Sequence, residues 1–284
     1  MADRGDSLFV TTAWLAERLR APDLAIVDAS WHLPTEGRDA RAEHAQGHIP
    51  GAVFFDIDEI CDKTSDLPHM LPDPVSFSSA MRRLGVGDGT RIVVYDQGTL
   101  FSAPRVWWTL RAFGVKDVAV LEGGLAQWRA DGHPLEEGVR QRQPRHFTAR
   151  IDHSLIADLF DVRKALETGR AQVVDARSAE RFRGDAPEPR PRLRSGHMPG
   201  AKNLPWNELV AAGRLKPKPA LEAAIANAGL DIAKPIVTTC GSGVSAAILS
   251  LAFEHLGARP APVYDGSWAE WGKLPDCPVA IGAE

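Results

Sequence analysis

Four short stretches in the first half of this chain return in the second half, in the same order. LAIVDAS (24–30) is matched by AQVVDARS (171–178), and QGHIPGAVFFD (46–56) by SGHMPGAKNLP (195–205). RIVVYDQG (91–98) is matched by PIVTTCGSG (235–243), and LEGGLAQW (121–128) by YDGSWAEW (264–271). The offset is about 145 residues each time, the length of a domain and far beyond the period of a solenoid. Four pairs in register do not arise by chance. The chain is therefore expected to be one domain written twice, over 8–132 and 153–281. The polar, aperiodic stretch HPLEEGVRQRQPRHFTARID (133–152) reads as the linker between them.

Within each copy, β-branched runs such as AIVD, RIVVYD, VAVLEG, QVVD and PIVTT read as strands buried on both faces. They alternate with helical-period segments, among them SFSSAMRRLG, APRVWWTLRAFG, LIADLFDVRKALETG and PALEAAIANAG. Several of these close on glycine, a usual helix stop. Such alternation predicts an α/β fold, with a mainly parallel sheet flanked by helices in each of two tandem domains. Ligands of such sheets bind at the carboxyl ends of the strands.

Composition removes whole classes of function. A net charge of −4 argues against general binding to nucleic acid or to a membrane surface. The N-terminus, MADRGDSLFVTTAW, carries no basic region followed by a long apolar run, so no leader is read there. The three cysteines, Cys61, Cys240 and Cys277, are widely spaced. That pattern fits a reducing cytoplasm, offers no CxxC metal site and points to no cofactor. Cys61 and Cys277 read as small buried apolar residues.

Cys240 reads differently. It follows PIVTT directly, at the carboxyl end of an expected strand, and leads into Gly241, Ser242, Gly243, Val244 and Ser245. The two glycines free the backbone to curl, because glycine reaches positive φ without steric cost. A curled run of N–H groups makes an anion nest, and a helix starting near Ser245 aims its positive end at the same point. Such a cradle favours a thiolate, a bound anion or the outer sulfur of a persulfide. The matching residue of the first copy is Asp96, which cannot be a sulfur nucleophile and reads as a solvated or capping carboxylate. A CX5R phosphatase needs an arginine where this chain has Ala246, so that chemistry is excluded.

CGSGVSA, the paired GHIPGA and GHMPGA segments and the DGSWAEW tail together resemble the tandem rhodanese-domain sulfurtransferases. The resemblance spans nearly the whole chain. It implies that Cys240 attacks the sulfur of 3-mercaptopyruvate, forming a persulfide and releasing pyruvate. A thiol acceptor such as a thioredoxin, or cyanide, then takes the outer sulfur in a second half-reaction. By the same resemblance, Arg181 and Arg190 grip the substrate carboxylate within the six-arginine stretch 175–199. Arg177 reads instead as an ion pair with Asp175, and Arg183, Arg192 and Arg194 as solvated surface charges.

The resemblance also implies a Ser–His–Asp relay, for which Ser242, His48 and Asp39 are the candidates, with Asp28 and Asp56 as rivals for the aspartate. His197, matched to His48 across the repeat, allows a structural role for both histidines. Thiosulfate-using relatives carry a CRKGV-like loop, whereas this chain has neutral Gly241 and Ser242, which favours a monoanionic oxo acid. An ordinary thiosulfate sulfurtransferase and a non-catalytic sulfur carrier are the competing readings. Trp107 and Trp108 could wall a cleft, though at least one is expected in the core. The irregular insert 54–74, FFDIDEICDKTSDLPHMLPDP, lines a site or merely covers the sheet.

Overall fold

The β-branched runs become strands enclosed on both faces, as LAIVD and RIVVY show with nearly every side chain buried. The computed structural model describes residues 7–139 and 141–282. The first copy contains, in chain order, β1 (Phe9–Val10), α1 (Thr12–Ala16), β2 (Leu24–Asp28), α2 (Ala40–Gln46) and β3 (Val53–Phe54). It continues with α3 (Pro74–Arg83), β4 (Arg91–Tyr95), α4 (Ala103–Ala112), β5 (Val118–Leu121) and α5 (Gly124–Ala130). The second copy opens with β6 (Ile156–Ala157), α6 (Leu159–Thr168), β7 (Gln172–Asp175), α7 (Ala179–Arg183) and β8 (Lys202–Asn203). A short ribbon, β9 (Val210–Ala211) with β10 (Arg214–Leu215), precedes α8 (Lys218–Asn227). Then come β11 (Ile236–Thr239), α9 (Ala246–His255), β12 (Val263–Tyr264) and α10 (Ser267–Trp271).

The repeat is visible in the strand orders, β1-β5-β4-β2-β3 in one sheet and β6-β12-β11-β7-β8 in the other. The pairings within both sheets are parallel. Each position of one sheet has its counterpart in the other, so β4 and β11 occupy the same central place.

The chain forms two compact units, but the division is not a single cut. Residues 62–71 pack with the second unit and 212–214 with the first. The stretch read as a linker packs largely on the first unit, which extends to Ile151. Phe147 is buried there, edge-on to Phe77 at 5.6 Å, and Thr148 bonds Asp88 through both its N–H and its hydroxyl. Gly87 is required beneath this stretch, since a Cβ would stand 2.7 Å from that of Arg145.

Each unit has its own core. In the first, Leu15, Ile26, Val93, Tyr95, Leu121 and Trp128 close around the sheet. In the second, Val162, Val173, Phe182, Met198, Trp268 and Trp271 do the same. Trp107 and Trp108 on α4 are both 1% exposed, so both are core. Helix α9 is buried from Ala246 through Phe253 and lies inside its unit. Its amino end faces the end of β11, where Cys240 stands. Among the described residues, no helix is long and apolar enough to cross a membrane.

Candidate active site

Strand β11 pairs with β7 along its whole length, Ile236 opposite Gln172 and Thr239 opposite Asp175. The two strands end together, and the Ala176 N–H donates to the Thr239 carbonyl at 2.9 Å just beyond them. Cys240 is the next residue, a free thiol 2% exposed. The turn into α10 pins its peptide. The Cys240 N–H donates to Ser267 Oγ at 3.2 Å, and its carbonyl accepts the Trp268 N–H at 3.0 Å. Ser267 Oγ in turn donates to the Tyr264 carbonyl at 2.7 Å. To do this Ser267 takes a left-handed φ of 49°, the region where Gly124 sits at the matching place of the first unit, φ 55°. The DGSWAEW repeat is therefore the clamp on the base of the cysteine loop.

The two glycines of that loop do different jobs. Gly243 has φ 75°, the left-handed turn expected of a curled loop. Gly241 does not use positive φ. Its missing side chain makes room for Arg181, whose Nη2 would stand 3.0 Å from a Cβ there. The Arg181 guanidinium thus lies against the residue following the nucleophile. Ser242, Val244 and Ser245 are all buried in the same loop, at 6%, 3% and 8% exposure.

The counterpart loop of the first unit displays what this backbone shape binds. Asp96 Oδ1 accepts the N–H groups of Gly98, Thr99 and Leu100 at 2.9, 3.1 and 3.2 Å. Its Oδ2 accepts those of Phe101, Ser102 and Ala103 at 2.8, 3.2 and 3.2 Å. Six N–H groups converging on one carboxylate make an anion nest closed by its own side chain. Asp96 does cap, but it is 3% exposed and so not solvated, contrary to half of the expectation. The first-unit loop is one residue longer, 97–102 ahead of α4 against 241–245 ahead of α9.

Beside Cys240 runs a chain of alternating charges. Arg177 bonds Asp175 through Nε and Nη2, at 2.9 and 2.6 Å, and donates from Nη1 to Glu188 Oε1 at 2.8 Å. Arg181 donates to the same Glu188 carboxylate from Nε at 3.2 Å and from Nη2 at 2.5 Å. The Arg177, Asp175 and Glu188 side chains are at most 1% exposed, while Arg181 keeps 24%. Burial opposes the charge on Arg177, yet Asp175 and Glu188 together hold its proton more tightly than in an ordinary arginine. Its guanidinium also lies 4.2 Å from the centre of the Trp268 ring. Arg190, the other expected clamp, has Nη2 3.4 Å from His69 Nε2. A guanidinium only donates, so a hydrogen bond in this contact runs from Arg190 to His69.

A rhodanese-like domain matches this chain twice, over residues 11–131 and 159–274. The chain belongs to the rhodanese family. The 3-mercaptopyruvate sulfurtransferase of Escherichia coli K12 is 48% identical over 272 residues, covering 95% of this chain and 97% of that protein. The human protein of the same name is 46% identical over 270 residues, covering 92% and 91%. The crystal structure of SseA from Escherichia coli matches with a TM-score of 0.86 at 46% identity, covering 92% of this chain and 99% of that one. The two units are two rhodanese domains, and the second carries the cysteine.

The remaining expected residues sit as follows. In the first rhodanese unit Asp39 is the exposed N-cap of α2, its carboxylate accepting the Ala42 N–H at 3.0 Å. His48 is fully buried just past the other end of that helix, with Nδ1 2.8 Å from the His44 carbonyl and its ring stacked on His44 at 4.0 Å. The helix therefore holds Asp39 and His48 apart. The rivals are occupied too: Asp28 bonds His44, Tyr95 and Ser30, and Asp56 bonds Arg41. His197 repeats the His48 arrangement, with Nδ1 2.8 Å from the Phe182 carbonyl. Arg194 is no solvated charge, since it donates to the carbonyls of Trp271, Gly272, Leu274 and Cys277.

Two residues stand at the site without having been singled out from the sequence, His69 and Glu188. His69 lies in the irregular insert and packs with the second unit, 7% exposed and with a left-handed φ of 60°. Its segment is tied down by Asp62 N–H to the Met70 carbonyl and by Leu71 N–H to Asp265 Oδ2 at 2.7 Å. A histidine in a proline-bounded insert with no repeat counterpart was the available signal, since binding residues concentrate on such loops.

Proposed function

We propose that this chain is a sulfurtransferase that takes sulfur from 3-mercaptopyruvate on Cys240. The Cys240 thiolate attacks the substrate sulfur, an S–S bond forms, and the carbon–sulfur bond breaks toward carbon. The electron pair leaves as the pyruvate enolate, which takes up the proton carried by the substrate thiol and becomes pyruvate. The persulfide anion remains on the enzyme until a thiol acceptor such as thioredoxin, or cyanide, removes the outer sulfur and restores the thiolate. Because the cycle needs Cys240 reduced, the activity is placed in a reducing cytoplasm.

The observation that carries this reading is the guanidinium of Arg181 against Gly241, one residue from the nucleophile. It brings a carboxylate grip to the thiol, with Arg190 as second clamp. The backbone of Gly241, Ser242, Gly243, Val244 and Ser245 cradles the persulfide sulfur, as the first-unit loop cradles Asp96 Oδ1 and Oδ2. Ser242, two residues past the nucleophile, donates to developing charge. For the proton, the sequence pointed to His48 with Asp39. Those two have separate structural tasks in the first unit, and in this reading His69, the imidazole beside Arg190, passes the proton from the substrate sulfur to the enolate carbon. The relatives named 3-mercaptopyruvate sulfurtransferase at 48% and 46% identity support the choice of donor.

The test is pyruvate release from 3-mercaptopyruvate with a thiol acceptor, beside thiocyanate formation from thiosulfate and cyanide. The reading expects kcat/KM to favour 3-mercaptopyruvate and Cys240→Ser to abolish turnover. A ratio favouring thiosulfate would move the assignment to an ordinary thiosulfate sulfurtransferase.

A further inference from the structure

A carboxylate inside a carboxylate-binding site needs a reason. Glu188 occupies that position: its side chain is 1% exposed and accepts two N–H bonds from Arg181, the expected substrate clamp. The Arg181 fork has two usable edges. One, formed by Nε and Nη2, is engaged by Glu188 in a parallel pair of hydrogen bonds. Nη2 also lies closest to Gly241, with Cζ and Nη1 farther from that point, at 3.9 and 4.0 Å. The guanidinium is thereby held against the cysteine loop, with Nη1 outside the pair of bonds to Glu188.

Glu188 is itself fixed from behind. Arg177 donates to its Oε1 at 2.8 Å, and Arg177 is anchored by Asp175, by the Gly196 carbonyl at 2.9 Å and over the Trp268 ring. Trp268 donates its N–H to the Cys240 carbonyl. Glu188 therefore ties Arg181 to the same rigid frame that holds the nucleophile. An arginine without such a partner samples many rotamers, and ordering it on binding weakens affinity. Asp175, Arg177, Glu188 and Arg181 also sum to no net charge, so Arg190 leaves the clamp with a single net positive charge, matched to a monoanion.

Resting on the sulfurtransferase reading above, we propose that Glu188 is a positioning residue. It pre-sets the Arg181 fork for a monoanionic 2-oxo acid, and its charge penalises a dianionic donor at the same place. Two consequences separate this from mere structural support. Loss of the Glu188 charge weakens binding of the oxo acid only while Arg181 is present, and it shifts the donor preference toward thiosulfate.

The experiment is a double-mutant cycle on the full chain, with Glu188→Gln, Arg181→Met and the double variant. Titration calorimetry with pyruvate reads carboxylate binding, and steady-state kinetics read KM and kcat for 3-mercaptopyruvate and thiosulfate. Glu188→Gln is expected to weaken pyruvate about tenfold and to raise KM for 3-mercaptopyruvate similarly, with kcat within about twofold. In the Arg181→Met background the same change is expected to move pyruvate binding by less than about twofold. The thiosulfate-to-mercaptopyruvate ratio of kcat/KM is expected to rise at least about fivefold. Glu188→Asp keeps the charge beside Arg177 but is one methylene shorter, and covers the case in which the glutamine variant does not fold. It is expected to weaken pyruvate in the same direction by about threefold. Unchanged pyruvate affinity in both Glu188 variants, or an equal loss with and without Arg181, overturns the proposal. Absence of wild-type turnover on 3-mercaptopyruvate overturns the activity reading instead, while pyruvate binding still decides the role of Glu188.

Discussion

Replacing Asp96 by alanine removes the acceptor of six backbone N–H groups at one stroke. Three of them, on Leu100, Ser102 and Ala103, are buried, and the other three are partly so. A buried donor left without a partner costs about 1–3 kcal/mol, so the buried three alone set a range of about 3–9 kcal/mol. Loop relaxation and entering water offset part of this, and about 4 kcal/mol is the expected loss. Against an ordinary domain stability of about 5–15 kcal/mol that is a large fraction. Asp96→Asn keeps one oxygen but turns an NH2 toward three donors, so it is expected to lose most of the same amount. The assay is denaturant unfolding combined with hydrogen exchange read by mass spectrometry on peptides of the first unit. Amides 98–103 should lose protection in both variants, while the peptide containing Cys240 keeps it. An alanine variant within about 1 kcal/mol of wild type would mean that the nest holds its shape without an anion. The comparison between the Asp96 and Cys240 loops would then fail.

Two further outcomes follow from buried charge. Arg177→Met leaves the Asp175 and Glu188 carboxylates enclosed without their shared cation and should cost the second unit about 3–5 kcal/mol, measured as a shift in urea midpoint; a shift under about 1 kcal/mol contradicts the ion-pair account. Burial, with His44 beside it, holds His48 below the usual histidine range, so the folded protein keeps it neutral where the unfolded chain takes up a proton. Stability from this source is intact above about pH 6.5 and falls as pH drops from there through the folded-state value, no more steeply than about 1.4 kcal/mol per pH unit. His48→Gln should flatten the urea midpoint between pH 7.5 and pH 5, and an unchanged slope would rule the effect out.

The internal repeat makes the fold legible in the sequence. AIVD, RIVVYD, QVVD and PIVTT are strands in the structure because their runs are short, β-branched and apolar on both faces. Cys240 was legible for the same reason, since a strand of that kind must end at the loop that follows it. The order of the neighbours was not. His69 meets Arg190 across 121 residues, from a segment with neither helical nor strand period, so no local pattern marks it. Arg194 looked like one more surface charge in an arginine-rich stretch, and its carbonyl partners lie 77 to 83 residues farther on. Gly241 shows a subtler gap. The sequence says that glycine is needed, but the reason is the approach of Arg181 and not a left-handed turn, and only tertiary packing decides between the two.

Sulfur passing through Cys240 is the central step, and one single-turnover measurement addresses it directly. The reduced protein is mixed with 3-mercaptopyruvate without any acceptor, pyruvate is quantified, and the intact mass and the Cys240 peptide are read by mass spectrometry. One pyruvate per chain is expected, with an increment of about 32 Da confined to Cys240 that disappears when cyanide or a thiol is added. Pyruvate released without that increment, or at the same rate from Cys240→Ser, would contradict it.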